Sequence, residues 1–328
     1  MVQFSRINET QRGTIVTVSS RLRCPFGTLI FVSLLGIGVG CGKGSSNLGI
    51  GAGNSTDLPS VSPGLELQDE DYAVARSKFH TKLIRVGPAP QSWQPVRAPK
   101  GVKEIRYQSS GLQLRAWINL PKDGAKSPAV LYLHGGWAFG QDDWEQAEPL
   151  RDAGYIVMTP LLRGENGQPG NFTMFYDEID DVLAAVDYLA KVPNVDSSRI
   201  YLAGHSAGGT HAMLAAMASD RFRALASVSG SPDRISFVNS GYGRVAPFDK
   251  ANLRELQLRS PVAFAGSFKC PARLYVGSQE SYFFNETRRT ALLAKSRGLD
   301  VESVIVAGDH MSCVPEALRQ AIEFFRKQ

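Results

Sequence analysis

Beyond residue 120 the chain settles into short, almost wholly apolar runs: Ala129–Leu133, Tyr155–Leu161, Ile200–Ala203, Ala224–Val228, Ala272–Val276 and Val301–Val306. Runs this short with no polar alternation mark strands buried on both faces, as in a parallel sheet. Helical spacing fills the intervals. In Tyr176–Leu189 the residues Ile179, Val182, Leu183, Val186 and Leu189 return every three or four positions and share one helix face, and Pro315–Arg326 predicts a closing helix. Upstream, Glu104–Gln108 and Leu112–Leu120 alternate apolar and polar residues around Ser109-Ser110-Gly111, which predicts an antiparallel hairpin. The expected fold class is α/β: a doubly wound, mostly parallel sheet flanked by helices, with an N-terminal hairpin. The stretch between the strands ending at Val228 and starting at Ala272 exceeds an ordinary connection and leaves room for a small cap.

The first hundred residues follow a different rule. Arg21 and Arg23 precede an apolar run from Phe26 to Val39 that ends in Gly40-Cys41-Gly42, the charged and apolar regions of a secretory signal. The run falls short of the ~20 apolar residues that span a bilayer. Gly38 and Gly40 before Cys41 resemble a bacterial lipobox, with Gly38 where leucine is usual. The expectation is an exported protein of the bacterial envelope, periplasmic or tethered to the membrane through a lipidated Cys41. Glycine, serine and proline dominate 42–64, a composition that cannot order itself. The expected organisation is therefore a signal over 1–41, a tether over 42–64, an extension over 65–102 and a catalytic domain over 103–328.

Charge and cysteine narrow the chemistry. The formal net charge is +5, and Arg6, Arg12, Arg21 and Arg23 against the single Glu9 supply much of it before Cys41, so nothing points to nucleic acid. Cys24, Cys41, Cys270 and Cys313 form no CxxC pair and have no histidines at ligand spacing, so neither a metal site nor any other cofactor is expected. Cys270 and Cys313 fall at opposite ends of neighbouring strands, too far apart for a disulfide. Gly42-Lys43-Gly44-Ser45 lacks the glycine spacing and the flanking strand of a phosphate loop.

The chemistry concentrates at Gly204-His205-Ser206-Ala207-Gly208, between the apolar strand ending at Ala203 and a helix-forming run from His211. In that setting GxSxG forms a nucleophile elbow: a sharp turn exposes the serine, and glycines on either side leave it space. Ser206 is the candidate nucleophile.

From here the chain resembles the α/β-hydrolase superfamily over residues 103–328. Two motifs are similar to those of its prolyl oligopeptidase and dienelactone hydrolase-like branches: His134-Gly135-Gly136-Trp137 after the first core strand and Arg163-Gly164-Glu165-Asn166-Gly167 after the next. The first implies backbone N–H groups turned toward the nucleophile, so that Gly136 or Trp137, with Ala207, would form an oxyanion hole. The superfamily order serine, acid, histidine leaves His211 and His310 for the base, and His310, on the loop after Val301–Val306, takes the role. The acid should follow Ala272–Val276, which implies Glu280, with Asp233 as the runner-up. Asp309, adjacent to His310, reads as a loop-capping carboxylate.

A serine hydrolase acting on an ester or related acyl bond is thus expected, first a carboxylesterase on a small acyl substrate. A peptidase of the prolyl oligopeptidase type acting on short peptides is the alternative, and a non-catalytic surface lipoprotein the second alternative. The residues between tether and hairpin are too few for the propeller that peptidases of that branch carry. Trp137, Phe139, Trp144 and the 232–269 segment are the expected pocket walls.

Overall fold

The computed structural model describes residues 58–328 except 61, 122, 123 and 125. The expected signal over 1–41, Cys41 and most of the 42–64 tether lie outside the described residues. In chain order α1 (Tyr72–Ser77) precedes the hairpin β1 (Val102–Ser109) and β2 (Leu112–Asn119). Next come β3 (Ser127–Leu133), α2 (Gln141–Gln146), α3 (Glu148–Asp152), β4 (Ile156–Pro160) and α4 (Glu178–Leu189). The second half runs β5 (Val195–His205), α5 (Ala207–Ala218), β6 (Leu225–Val228), α6 (Arg234–Asn239), α7 (Leu253–Gln257), β7 (Ala272–Gly277), α8 (Ser281–Ser296), β8 (Val301–Val306) and α9 (Val314–Phe325).

The eight strands form one sheet in the order β1-β2-β4-β3-β5-β6-β7-β8. The β1–β2 and β2–β4 pairs are antiparallel and all the others parallel. Ser109 pairs with Leu112, so Ser110 and Gly111 turn the hairpin alone, both at positive φ (46° and 80°) as a two-residue loop requires. Side-chain alternation then makes three layers. Ala129, Leu131 and Leu133 of β3 enter the larger core with α4 and α5, whereas Val130 and Tyr132 face the opposite cluster, built with α3 and α9. A chain continuously apolar along its strands is therefore apolar on both sheet faces, and each face needs its own helices.

Two regions extend that frame. Residues 229–271, long enough for a cap, form α6, α7 and 3₁₀ turns at Tyr242–Arg244 and Pro261–Ser267 that pack into the larger core. The ion pair of Arg259 with Glu255, at 2.5 Å, is fully enclosed there, and the guanidinium lies 4.0 Å from the Phe248 ring centre. Upstream of the hairpin, Leu65, Tyr72 and Ala75 belong to the same core. The Tyr72 hydroxyl donates to Leu258 O at 3.0 Å and its ring meets Phe264 edge-on. Among the described residues no helix is long and apolar enough to cross a membrane.

Candidate active site

Strand β5 delivers Ser206 at φ 55°, ψ −117°, a conformation that costs an ordinary residue about 1–3 kcal/mol and is held by its surroundings. Those surroundings admit only glycine on either side. A Cβ on Gly204 would stand 2.4 Å from Gly208 O, and one on Gly208 would stand 2.1 Å from Leu133 O. The turn packs directly against the end of β3, which is why the nucleophile turn and the His134-Gly135-Gly136-Trp137 turn come together.

His310 and Glu280 approach from the far edge of the sheet. The Ser206 hydroxyl lies 2.9 Å from His310 Nε2, and His310 Nδ1 lies 2.6 Å from Glu280 Oε1. An ionised carboxylate only accepts, so Nδ1 carries the proton and Nε2 is free to accept from the serine. Glu280 sits at the N-cap of α8, and its other oxygen accepts from Ser229 Oγ at 2.5 Å and from Gly277 N–H at 2.8 Å. Burial alone would lift this carboxyl, but the hydrogen bonds from His310, Ser229 and the Gly277 N–H hold it below the usual carboxylate range. Asp233, the runner-up acid, is elsewhere: it caps α6 through Ser236 N–H and accepts from Ser62 N–H. Asp309 caps its own loop, accepting from Met311 N–H, Ser312 N–H and the Ser312 hydroxyl.

Sequence reasoning missed two supports. His205, the variable residue of the elbow motif, donates from Nε2 to His310 O at 2.8 Å and so clasps the backbone of the base to β5. Burial pushes its pKa down to about 4, so the ring is neutral at ordinary pH. Ser229 holds Glu280 in the same way. Cys313 lies behind the acid, 3.6 Å from Ser229 Oγ; it and Cys270 are both buried and free. His211 is buried on α5 with its ring against Phe175 and does not join the triad contacts.

The resemblance motifs have a geometry of their own. His134 Nε2 meets Glu165 Oε2 at 3.0 Å in a fully buried pair. Burial would lower the imidazole pKa, but the adjacent carboxylate overrides it and raises it to about 9. Asn166 exchanges two hydrogen bonds with the Phe139 backbone, and Arg163 forms a bidentate pair with Asp181. The two motifs thus brace each other and fix the turn carrying Gly135, Gly136 and Trp137. A Cβ placed on Gly135 would stand 3.6 Å from Ser206 Cβ, so that turn lies beside the nucleophile. Trp137 N–H donates to Gln91 Oε1 at 2.8 Å, while no acceptor for the Gly136 or Ala207 N–H is found among the described residues.

The expected aromatic wall divides. Trp137 meets Phe172, Phe175, Phe237 and Tyr242. Phe139 and Trp144 instead pack on Trp117 in a separate cluster with Leu161, because Asn166 draws the chain after Trp137 outward toward β2. Arg234 lies sandwiched between Phe175 and Phe237, its guanidinium carbon 4.0 and 4.2 Å from their ring centres. Among the described residues no group of three or more histidine, cysteine or acidic side chains stands close enough to hold a metal.

The family model for the prolyl oligopeptidase family matches residues 141–268. The uncharacterized peptidase YtmA of Bacillus subtilis is 31% identical over 114 residues, covering 34% of this chain and 44% of its own. Dipeptidyl-peptidase 5 of Porphyromonas gingivalis is 32% identical over 121 residues, covering 31% of this chain and 17% of its own. Among solved structures, an esterase of Pyrococcus furiosus superposes with a TM-score of 0.60 at 19% identity, over 74% of this chain and 98% of that one. The chain has the α/β-hydrolase fold, and its stretch 141–268 matches the prolyl oligopeptidase family model. A puromycin-hydrolyzing peptidase of Mycobacterium tuberculosis shares this fold at a TM-score of 0.61 and 20% identity, over 70% of this chain and 40% of that one. The chain spans less than half the length of the curated relatives it matches.

Proposed function

We propose that this chain is a serine hydrolase, a carboxylesterase that cleaves small acyl esters through Ser206, His310 and Glu280. The observation that carries the reading is the continuous chain of hydrogen bonds from the Ser206 hydroxyl through His310 to Glu280, at 2.9 and 2.6 Å. In the first half-reaction His310 Nε2 takes the Ser206 proton as Oγ attacks the acyl carbon. Glu280 keeps the proton on Nδ1 and stabilises the imidazolium that forms. The oxyanion develops beside the N–H of Ala207 and of Gly136 or Trp137, where each preorganised donor contributes about 3 kcal/mol. His310 then gives its proton to the leaving alcohol, and water, activated by the same imidazole, releases the acid from Ser206.

The aromatic cluster that Phe172, Phe237 and Tyr242 form around Trp137, next to the proposed oxyanion turn, would suit an uncharged acyl chain. A second reading, a peptidase of the prolyl oligopeptidase type on short peptides, is favoured by the family match over 141–268 and the peptidases among the relatives. Parallel assays of short-acyl p-nitrophenyl esters and aminoacyl-p-nitroanilides, beside Ser206→Ala, separate the two. Ester turnover lost in the variant supports the carboxylesterase; faster anilide turnover moves the assignment to peptidase; activity retained in Ser206→Ala overturns both. We propose also that the chain is exported and lipidated at Cys41, on the strength of the charged and apolar segment that leads up to it. This predicts fatty-acid labelling that Cys41→Ala abolishes, and an unlabelled wild-type chain would sink it.

A further inference from the structure

The segment before the hairpin crosses the candidate site as a strap fastened on both sides of one residue. On the upstream side Leu83 bridges to Phe248, Ile84 and Arg85 donate backbone N–H groups to Pro247 O, and the Arg85 guanidinium binds the carbonyls of Arg244 and Ala246. Further along, Phe172 N–H donates to Gly87 O at 2.9 Å and Ala89 N–H to Gly164 O at 3.0 Å. Downstream, the Trp93 ring lies against Gly167, where a Cβ would stand 3.2 Å from it. Gln91 is the exposed residue between these fastenings, yet its side chain reaches inward. Its amide oxygen accepts from Trp137 N–H at 2.8 Å and stands 2.6 Å from where a Cβ on Gly136 would be. The adjoining Gly135 is the residue whose Cβ position lies 3.6 Å from Ser206 Cβ.

A carboxamide oxygen on the Trp137 N–H has the chemistry of the substrate carbonyl itself. We infer that Gln91 plugs the oxyanion hole of the resting hydrolase, so that an acyl substrate must displace the carboxamide before Ser206 can attack. The inference rests on the proposed Ser206–His310–Glu280 reading. Tethering gives the plug a standing advantage over a free ligand, since the fastenings hold it at high effective concentration. A single neutral hydrogen bond is nevertheless weak in net terms, so the plug is a tax on the rate and not a block.

The test measures, on the full chain, p-nitrophenyl butyrate hydrolysis and the rate at which a fluorophosphonate probe labels Ser206. Gln91→Ala is expected to raise both kcat/KM and the labelling rate about three- to tenfold. Trp93→Ala, which loosens the strap without touching Gln91, should raise them in the same direction. Gln91→Glu places a charged acceptor on the same N–H and should lower both below wild type near neutral pH. Rates equal to or below wild type in Gln91→Ala, with an unchanged melting temperature, would overturn the plug and leave the triad standing. Absence of labelling in every variant, wild type included, would overturn the triad reading and the plug with it.

Discussion

Glu280 serves two sets of partners with one carboxylate. It starts at the N-cap of α8 and must reach His310 on the loop beyond the neighbouring strand while its second oxygen stays with Ser229 and Gly277. Glu280→Gln keeps the shape but takes away the charge and lets His310 adopt the wrong tautomer. The expected result is a fall in kcat of roughly 10³–10⁴ with KM little changed, read from steady-state ester kinetics. Ser206, His310 and Glu280 were legible in the sequence because strand ends, chain order and a five-residue motif constrain them. His205, Ser229 and Gln91 were not. Their partners lie 105, 51 and 46 residues away, so no spacing along the chain announces the bond.

At the scale of elements, apolar runs foretold six core strands to within a few residues, and the alternating segments foretold the hairpin, because burial on two faces or one is written directly into the side-chain pattern. The antiparallel seam between β2 and β4 was hidden, since the direction of a pairing leaves no distinctive mark on the side-chain pattern of either strand. Helix α8 was also unread. Its inward residues include Glu286, Thr287 and Thr290, polar groups buried by tertiary context and invisible to a hydrophobic periodicity. Glu286 gives that helix a pH signature. Burial lifts its carboxyl from 4.5 to about 7 in the folded chain. Between those values the unfolded chain releases a proton that the folded chain keeps, so stability falls as pH rises from about 4.5 to 7 and levels off above, by up to about 3 kcal/mol. Urea unfolding of Glu286→Gln across that range should lose this slope, and an unchanged slope would assign it to other groups.

On the scale of the whole molecule, the residues ahead of the hairpin help to build the main body of the fold. Tyr72 is fully enclosed, hydrogen-bonded to Leu258 O, and Ser267 Oγ accepts from its N–H. Tyr72→Ala should cost about 3–5 kcal/mol in chemical denaturation, as for a core aromatic; a cost below about 1 kcal/mol would show that this segment is dispensable. Sequence reading set the 65–102 segment outside the catalytic domain because its few apolar residues have no period, and the surfaces they meet come nearly two hundred positions later. The strand order carries one more implication. Ser206 leaves β5 and His310 leaves the loop after β8, with β6 and β7 between them, so at ~4.8 Å per pairing their backbones start about 14 Å apart. The junction across that gap, made by Ser206 with His310 Nε2 and by His205 Nε2 with His310 O, adds up the twist and spacing of three strand pairings. It works as a strain gauge for half the sheet: heat, pressure or denaturant that shears those pairings by a fraction of an ångström each will register as lost turnover while the fold itself is still intact.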